Sequence, residues 1–285
     1  MGTENDEVMG LCALCGPDNG EIRVLRKSHF LPKAVYRYFN NFRAEDTKLL
    51  LRSEEQKKIF SMRRQIFQSL LCDTCEGHMS SEGEDYYSKM LLKIDTENQL
   101  PSPGYRILMN GLLPSWNAPT KIYGPSLILS VGSNLLPSIE SQKLYHFAIG
   151  MFWKATFENW EHCRAIPLER DLIDEMRRFL RGGDYPRGYI VRIVPSFWKA
   201  KFGVAFPILV KGQPFFSIQQ FDFYLEKADR QYWAALSMNA VPLLYTVDSM
   251  RSEHTFRGMV ANFNRTEKTK SISGTTLSWL PDQPS

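Results

Sequence analysis

Two short stretches decide how this chain folds: Cys12-Ala-Leu-Cys15-Gly16 and Leu70-Leu71-Cys72-Asp-Thr-Cys75-Glu76. Each sets two thiols two residues apart, a spacing at which a tight turn or a helix start brings both sulfurs to one ion. Gly16 lets the backbone curl behind the first pair so that its amides face the sulfurs. The second pair stands directly before a helix-like segment, Glu76 to Ile94, where the positive end of the helix dipole favours thiolates. The competing reading is two unrelated redox or core cysteine pairs. Two matched pairs in one chain favour a shared metal.

The pairs are 56 residues apart. That is long for a simple finger and suits a treble clef, in which a knuckle, a hairpin and a helix gather around one ion. Cys12, Cys15, Cys72 and Cys75 are therefore the expected ligands of a structural Zn²⁺. The fifth cysteine, Cys163, has no matching partner and reads as a packed thiol.

Composition narrows the rest. The chain has 285 residues, 43% hydrophobic and 23% charged, which excludes a largely disordered chain, a collagen and a coiled coil. No apolar run is long enough for a membrane span. Met1 to Glu7 is polar and acidic, unlike a secretory leader, and Asp6 stands where a myristoylation signal has Ser or Thr. An odd cysteine count without an export signal points to a reducing, cytoplasmic setting.

The expected organisation is an α+β chain: a zinc module over 1–95, a linker or irregular crossing over 96–125, an α+β domain over 126–263 and a mobile tail over 264–285. The crossing is rich in Pro, Gly, Ser and Asn. Beyond it, Ser126–Val131 reads as a strand. Leu144, Phe147, Ala148, Met151, Phe152 and Ala155 recur at helical spacing within a helix from about 139 to 160, with Ser138 as its cap. A second helix fits 168–181, stopped by Gly182-Gly183. Strands are predicted at 189–194 and 204–210, then a turn, Lys211-Gly-Gln-Pro214, into a strand over 215–223. A further helix is predicted at about 53–70. Trp153, Trp198 and Trp233 are candidates to line a ligand pocket.

Between and after the cysteine pairs stand Ser28-His29-Phe-Leu-Pro32-Lys33, Leu70-Leu-Cys-x-x-Cys-Glu76 and Gly83-Glu84-Asp85-Tyr86. This order resembles the HNH (ββα-metal) nucleases whose zinc is held by two C-x-x-C knuckles. More closely, it is similar to an uncharacterised bacterial family with the same "SH-apolar-apolar-PK", "LLC-x-x-CE" and "GE-D-aromatic" order. That likeness continues through Tyr145–Lys154 and Arg177–Gly182. The resemblance implies that His29 is the general base and that Glu76, assisted by Glu84 or His78, holds a catalytic Mg²⁺ or Mn²⁺. Ser28 replaces the usual metal-ligating Asp, His or Glu, and the motif's Asn has no clear counterpart.

Charge gives an independent indication. The net charge is only +4, yet Ile22–Leu71 holds twelve Lys/Arg against four Asp/Glu, with acidic flanks. Arg23, Arg26, Lys27, Lys33, Arg37, Lys57, Lys58, Arg63 and Arg64 are candidate phosphate contacts, and Tyr36, Tyr38, Phe39 and Phe42 candidate stacking rings. The expectation is an HNH-like DNA (or RNA) endonuclease, with a role in defence against foreign DNA implied by the resemblance alone. The alternatives are a non-catalytic nucleic-acid- or protein-binding adaptor, or a ligand sensor through the later segment, which is also where a homodimer or activating partner would dock.

Overall fold

A computed structural model describes residues 8–16, 20–41, 49–53, 58–62, 65–92, 102–107, 127–130, 138–161, 163–195, 203–218, 221–229 and 241–247. Most of the 96–125 crossing, the 264–285 tail, Lys57, Arg63, Arg64, Phe42, Trp198 and Trp233 lie outside the described residues.

The region of the two cysteine pairs is built on a small antiparallel sheet of β1 (Val8–Leu11), β2 (Ile22–His29) and β5 (Phe67–Cys72). Leu25 faces Cys72 and His29 faces Phe67 across β2 and β5, with a register shift between Arg26 and Lys27. Arg26 and Lys27 remain exposed, while the following Ser28 and His29 are buried. Between β2 and β5 lie α1 (Lys33–Asn41), β3 (Leu49–Ser53) and β4 (Lys58–Met62). The helix expected at about 53–70 is therefore absent. That stretch gives the last residue of β3, all of β4 and most of β5; β4 pairs with β3 and β5 with the earlier β2, so strand pairing overrides helix propensity. β3 also pairs in parallel with a strand more than 150 residues later.

After Cys72 the chain runs helically over 73–92, here α2. It alternates α turns (Asp73–Met79, Asp85–Tyr87) with π turns (Ser80–Glu84, Ser88–Leu92). A π turn inserts one residue and rotates the face that follows it. Next come β6 (Leu127–Ser130), α3 (Ser141–Lys154), α4 (Arg170–Phe179), β7 (Tyr189–Pro195), β8 (Gly203–Val210), β9 (Gln213–Ile218), β10 (Phe221–Lys227) and β11 (Leu243–Val247). Glu140, not Ser138, stands at the N-cap position of α3, without a side-chain capping bond. Gly182 at φ +92° stops α4, and its amide donates to the Phe179 carbonyl. The β8–β9 turn is only Lys211-Gly212, both at positive φ, as a two-residue hairpin whose twist matches its strands requires. The strand read over 215–223 is two strands, β9 and β10, paired antiparallel.

The mixed eight-stranded sheet has the order β4-β3-β8-β9-β10-β7-β11-β6. The chain is α+β, and the segments on either side of 96–125 share one core. β3 hydrogen-bonds to β8, and one apolar cluster runs from Cys12 and Leu14 through α2 and α3 to Tyr245. Tyr87 of α2 stacks on Phe147 of α3 at 4.0 Å, and Phe147 meets Phe216 and Phe223 of the sheet. Phe30, just past β2, packs edge-on against Trp160 at 4.9 Å and against Phe206 of β8 at 4.7 Å. Trp153 is wholly buried in this core. No helix among the described residues is long and apolar enough to cross a membrane.

α2 and α3 come close at Gly83. A Cβ there would lie 2.7 Å from the Phe147 amide nitrogen and 2.9 Å from its Cα, and backbone cannot yield as a flexible side chain can. Gly83→Ala is expected to destabilise the chain by about 1–3 kcal/mol, the usual cost of overpacking. Gly77→Ala, with open space around it, should be neutral or slightly stabilising. Denaturant midpoints of the two variants check this.

Candidate metal centre and the polar site beside it

Cys12 and Cys15 sit on the turn after β1, closed by the Gly16 amide donating to the Cys12 carbonyl at 3.0 Å, with Gly16 at φ +83°. The Ala13 amide donates to the Leu70 carbonyl, which fastens this knuckle to β5. Cys72 ends β5 and Cys75 lies in the first turn of α2. The four sulfurs lie within 4.8 Å of one another, with Cys15–Cys75 at 3.5 Å and Cys15–Cys72 at 3.9 Å. A tetrahedral site with Zn–S near 2.3 Å has edges of about 3.8 Å, whereas a disulfide needs about 2.05 Å. None of the five cysteines is in a disulfide. The donor set therefore fits a metal ion such as zinc.

Four thiolates around a dication leave a charge of about −2, and three arginines meet it. Arg23 donates to Cys72 Sγ at 3.9 Å, Arg181 donates to the Cys15 carbonyl at 3.2 Å, and the Arg177 guanidinium fills the space where a Gly16 side chain would stand. Burial pushes the Cys72 thiol up, but hydrogen bonds from Cys75, Cys12 and Arg23 outweigh it and bring the group to about 7.

A second polar group lies along the same ββα frame. Ser28, fully buried at the end of β2, donates to Glu76 Oε2 at 2.8 Å. His29, 8% exposed, packs beside Tyr36 and Phe67, and its Nδ1 is buried without a hydrogen-bond partner. Lys154, the last residue of α3 and 1% exposed, donates to Glu84 Oε1 at 2.6 Å and to the His29 carbonyl at 3.1 Å. Burial lowers the His29 pKa. Lys33 and Lys154 lower it further, while a hydrogen bond with Gln65 and the Glu84 charge oppose them. Burial likewise raises Glu76, against the pull of Lys154, the Ser28 hydrogen bond and Lys33.

The sequence-predicted residues are thus partly gathered. Ser28 and His29 sit on β2, with Glu76 and Glu84 on α2, but His29, Glu76 and Glu84 do not converge as three ligands. The four cysteines are the one such group of His, Cys, Asp or Glu among the described residues. With Glu84 held by an ammonium and Glu76 by a hydroxyl, this donor set does not fit the implied Mg²⁺ or Mn²⁺. His78 instead packs on His146, ring centroids 5.7 Å apart.

The basic candidates also divide. Arg23 pairs with Glu21, and Arg26 with Asp73 at 2.8 Å, so both are partly neutralised. Lys27 is exposed and lies over the exposed Phe67 ring at 5.3 Å, and Lys33 and Arg37 are exposed on α1. Lys58 opens β4 rather than lying on a helix. Tyr36 is not a stacking ring: it is buried, and its hydroxyl accepts from the Ile66 amide.

Sequence reasoning overlooked Lys154, Arg177 and Arg181 as site residues. The signal for Lys154 was a lone cation inside the apolar run Phe152-Trp153-Lys154-Ala155. A charge there needs a partner. Comparison with protein-family models, with curated proteins and with solved structures finds no match to this chain.

Metal analysis of the purified chain is expected to give about one zinc per molecule, and Cys72→Ser to lose it together with cooperative unfolding of the β1–β2–β5 region. His146 supplies a pH dependence. It is 6% exposed, and burial, then the neighbouring His78 and Lys154, bring it to about 4 from 6.5. Its folded pKa is depressed, so the stability it contributes is full above about 6.5 and is lost as pH falls through about 4. The loss amounts to about 3 kcal/mol at most. His146→Phe should flatten that part of a stability–pH curve.

Proposed function

We propose that this chain is an HNH-like treble-clef zinc protein whose Ser28–His29–Glu76–Glu84–Lys154 site hydrolyses phosphodiester bonds in nucleic acid. The observation that carries the reading is His29 itself: a buried imidazole whose pKa burial lowers and whose Nδ1 has no hydrogen-bond partner, next in the chain to the Ser28 that bonds Glu76, with its backbone carbonyl held by the Lys154 ammonium that pairs with Glu84. Buried charges are costly, and groups with environment-shifted pKa values gather at functional sites. A neutral imidazole takes a proton from an attacking water. The water oxygen forms the new bond to phosphorus, the bond to the leaving oxygen breaks, and that oxygen takes a proton from solvent. Lys27, Lys33 and Arg37 are exposed near the same strand end, where they support phosphate binding without sequence choice.

One observation favours the second reading, a nucleic-acid-binding adaptor that does not cleave: Glu84 is already neutralised by Lys154 within the protein. The two readings separate on one variant. Zinc-loaded protein is expected to nick plasmid or cut labelled oligonucleotides, and His29→Ala to lower the rate about 10²–10⁴-fold while leaving DNA affinity unchanged. The rate should rise with pH through a pKa below 6.5, the side on which His29 becomes neutral, and be level at neutral pH. Salt-dependent binding without cleavage, unaltered by His29→Ala, would establish the adaptor instead.

A further inference from the structure

A ββα site that uses a divalent cation needs oxygen ligands left open to receive it. Here the carboxylate farther along α2, Glu84, is in contact with the Lys154 ammonium at 2.6 Å. The same ammonium holds the backbone carbonyl of His29, the residue in the position of the base, at 3.1 Å. Lys154 comes from α3, 70 residues beyond Glu84, and only 1% of its side chain is exposed. It therefore places its Nζ, from a different element, on the carboxylate side of the site. Glu76 accepts from the Ser28 hydroxyl at 2.8 Å and lies within electrostatic range of Lys154, Lys33 and Glu84. An ammonium with three donors and a divalent cation compete for the same oxygens, and like charges at such short range repel strongly in a shielded interior.

We infer that Lys154 is a built-in cation that takes the place of a divalent metal in this site, so that the site excludes Mg²⁺ and Mn²⁺. Lys154 is a positioning residue: it fixes Glu84 and the His29 backbone and is too buried to touch a nucleic acid. Neutralisation of the phosphate then falls to a cation at the rim. Lys33 fits that task, being exposed and near enough to act electrostatically on both His29 and Glu76. Lys154 replaces a catalytic cation only if the phosphodiesterase reading holds; its exclusion of divalent ions holds with or without cleavage.

The experiment is Mn²⁺ binding by electron paramagnetic resonance on zinc-loaded, otherwise metal-free protein. Wild type is expected to bind no Mn²⁺ that is lost in Glu76→Gln or Glu84→Gln. Lys154→Met should gain one such Mn²⁺, and Lys154→Arg, which keeps the charge, should not. Wild-type Mn²⁺ binding abolished by either glutamate variant would overturn the inference, and that measurement needs no lysine variant to fold. Lys154→Met that folds yet gains no site would also count against it. In the cleavage assay, wild-type rates in metal-free buffer and with added Mg²⁺ or Mn²⁺ should agree within about twofold. Cleavage that appears only with the added metal would overturn the inference while upholding the phosphodiesterase reading. No cleavage under any condition would remove that reading and leave the Mn²⁺ measurement to decide.

Discussion

The buried ammonium of Lys154 ties together the three pieces on which the candidate site depends: the end of β2 through the His29 carbonyl, α2 through Glu84, and α3, which carries it. A charge in that position has only two stable outcomes. It is fully paired, or the surrounding helices move apart to hydrate it. The π turn at Ser80–Glu84 meets this requirement geometrically. It brings Gly83 into contact with the α3 backbone at Phe147 and, one residue later, places Glu84 where the ammonium can reach it. Gly83 permits the approach and Lys154–Glu84 fixes its register. The Tyr87–Phe147 stack then continues the same helix pair into the core.

The cysteine cluster is a separate constraint on the same frame. Its thiols come from the turn after β1, the end of β5 and the start of α2, so an ion held by all four would join that turn to α2. The anionic character of such a centre is met from both sides, by Arg23 on β2 and by Arg177 and Arg181 at the end of α4. The metal centre and the larger sheet are therefore linked through α4 as well as through the shared core.

The local signals in the sequence were strong where chemistry or short-range geometry dictates structure. Paired thiols two residues apart announce a metal site, Gly182 announces a helix end, and the apolar spacing from Leu144 to Ala155 announces α3. Motif order put His29 and Glu76 forward as candidates, and the structure sets them on β2 and α2 with Ser28 bonded to Glu76. What sequence could not show depends on partners far away in the chain. The stretch from 53 to 70 looks helical until β3 and β2 are there to pair with β4 and β5. Lys154 looks like the polar end of a helix until Glu84 and the His29 carbonyl are placed beside it. Tyr36 looks like a stacking ring until the Ile66 amide occupies its hydroxyl. The basic run between the cysteine pairs was visible as a sum, but its sharing out between Glu21, Asp73 and solvent was not.

The insertion of β3 and β4 between β2 and β5 bears on the order in which the molecule assembles. The two cysteine pairs become neighbours only when β2 meets β5, and the intervening β3 finds its own partner only in β8. Closing a loop that long is entropically slow and rewards the chain only once both ends are fixed. A nascent chain thus carries its first knuckle as an open pair of thiols until Cys72 and Cys75 arrive, and its β3–β4 hairpin as an unpaired edge until β8 is made. Metal capture can complete the small sheet early. The large sheet, which needs residues from both sides of the crossing, is left as the late step.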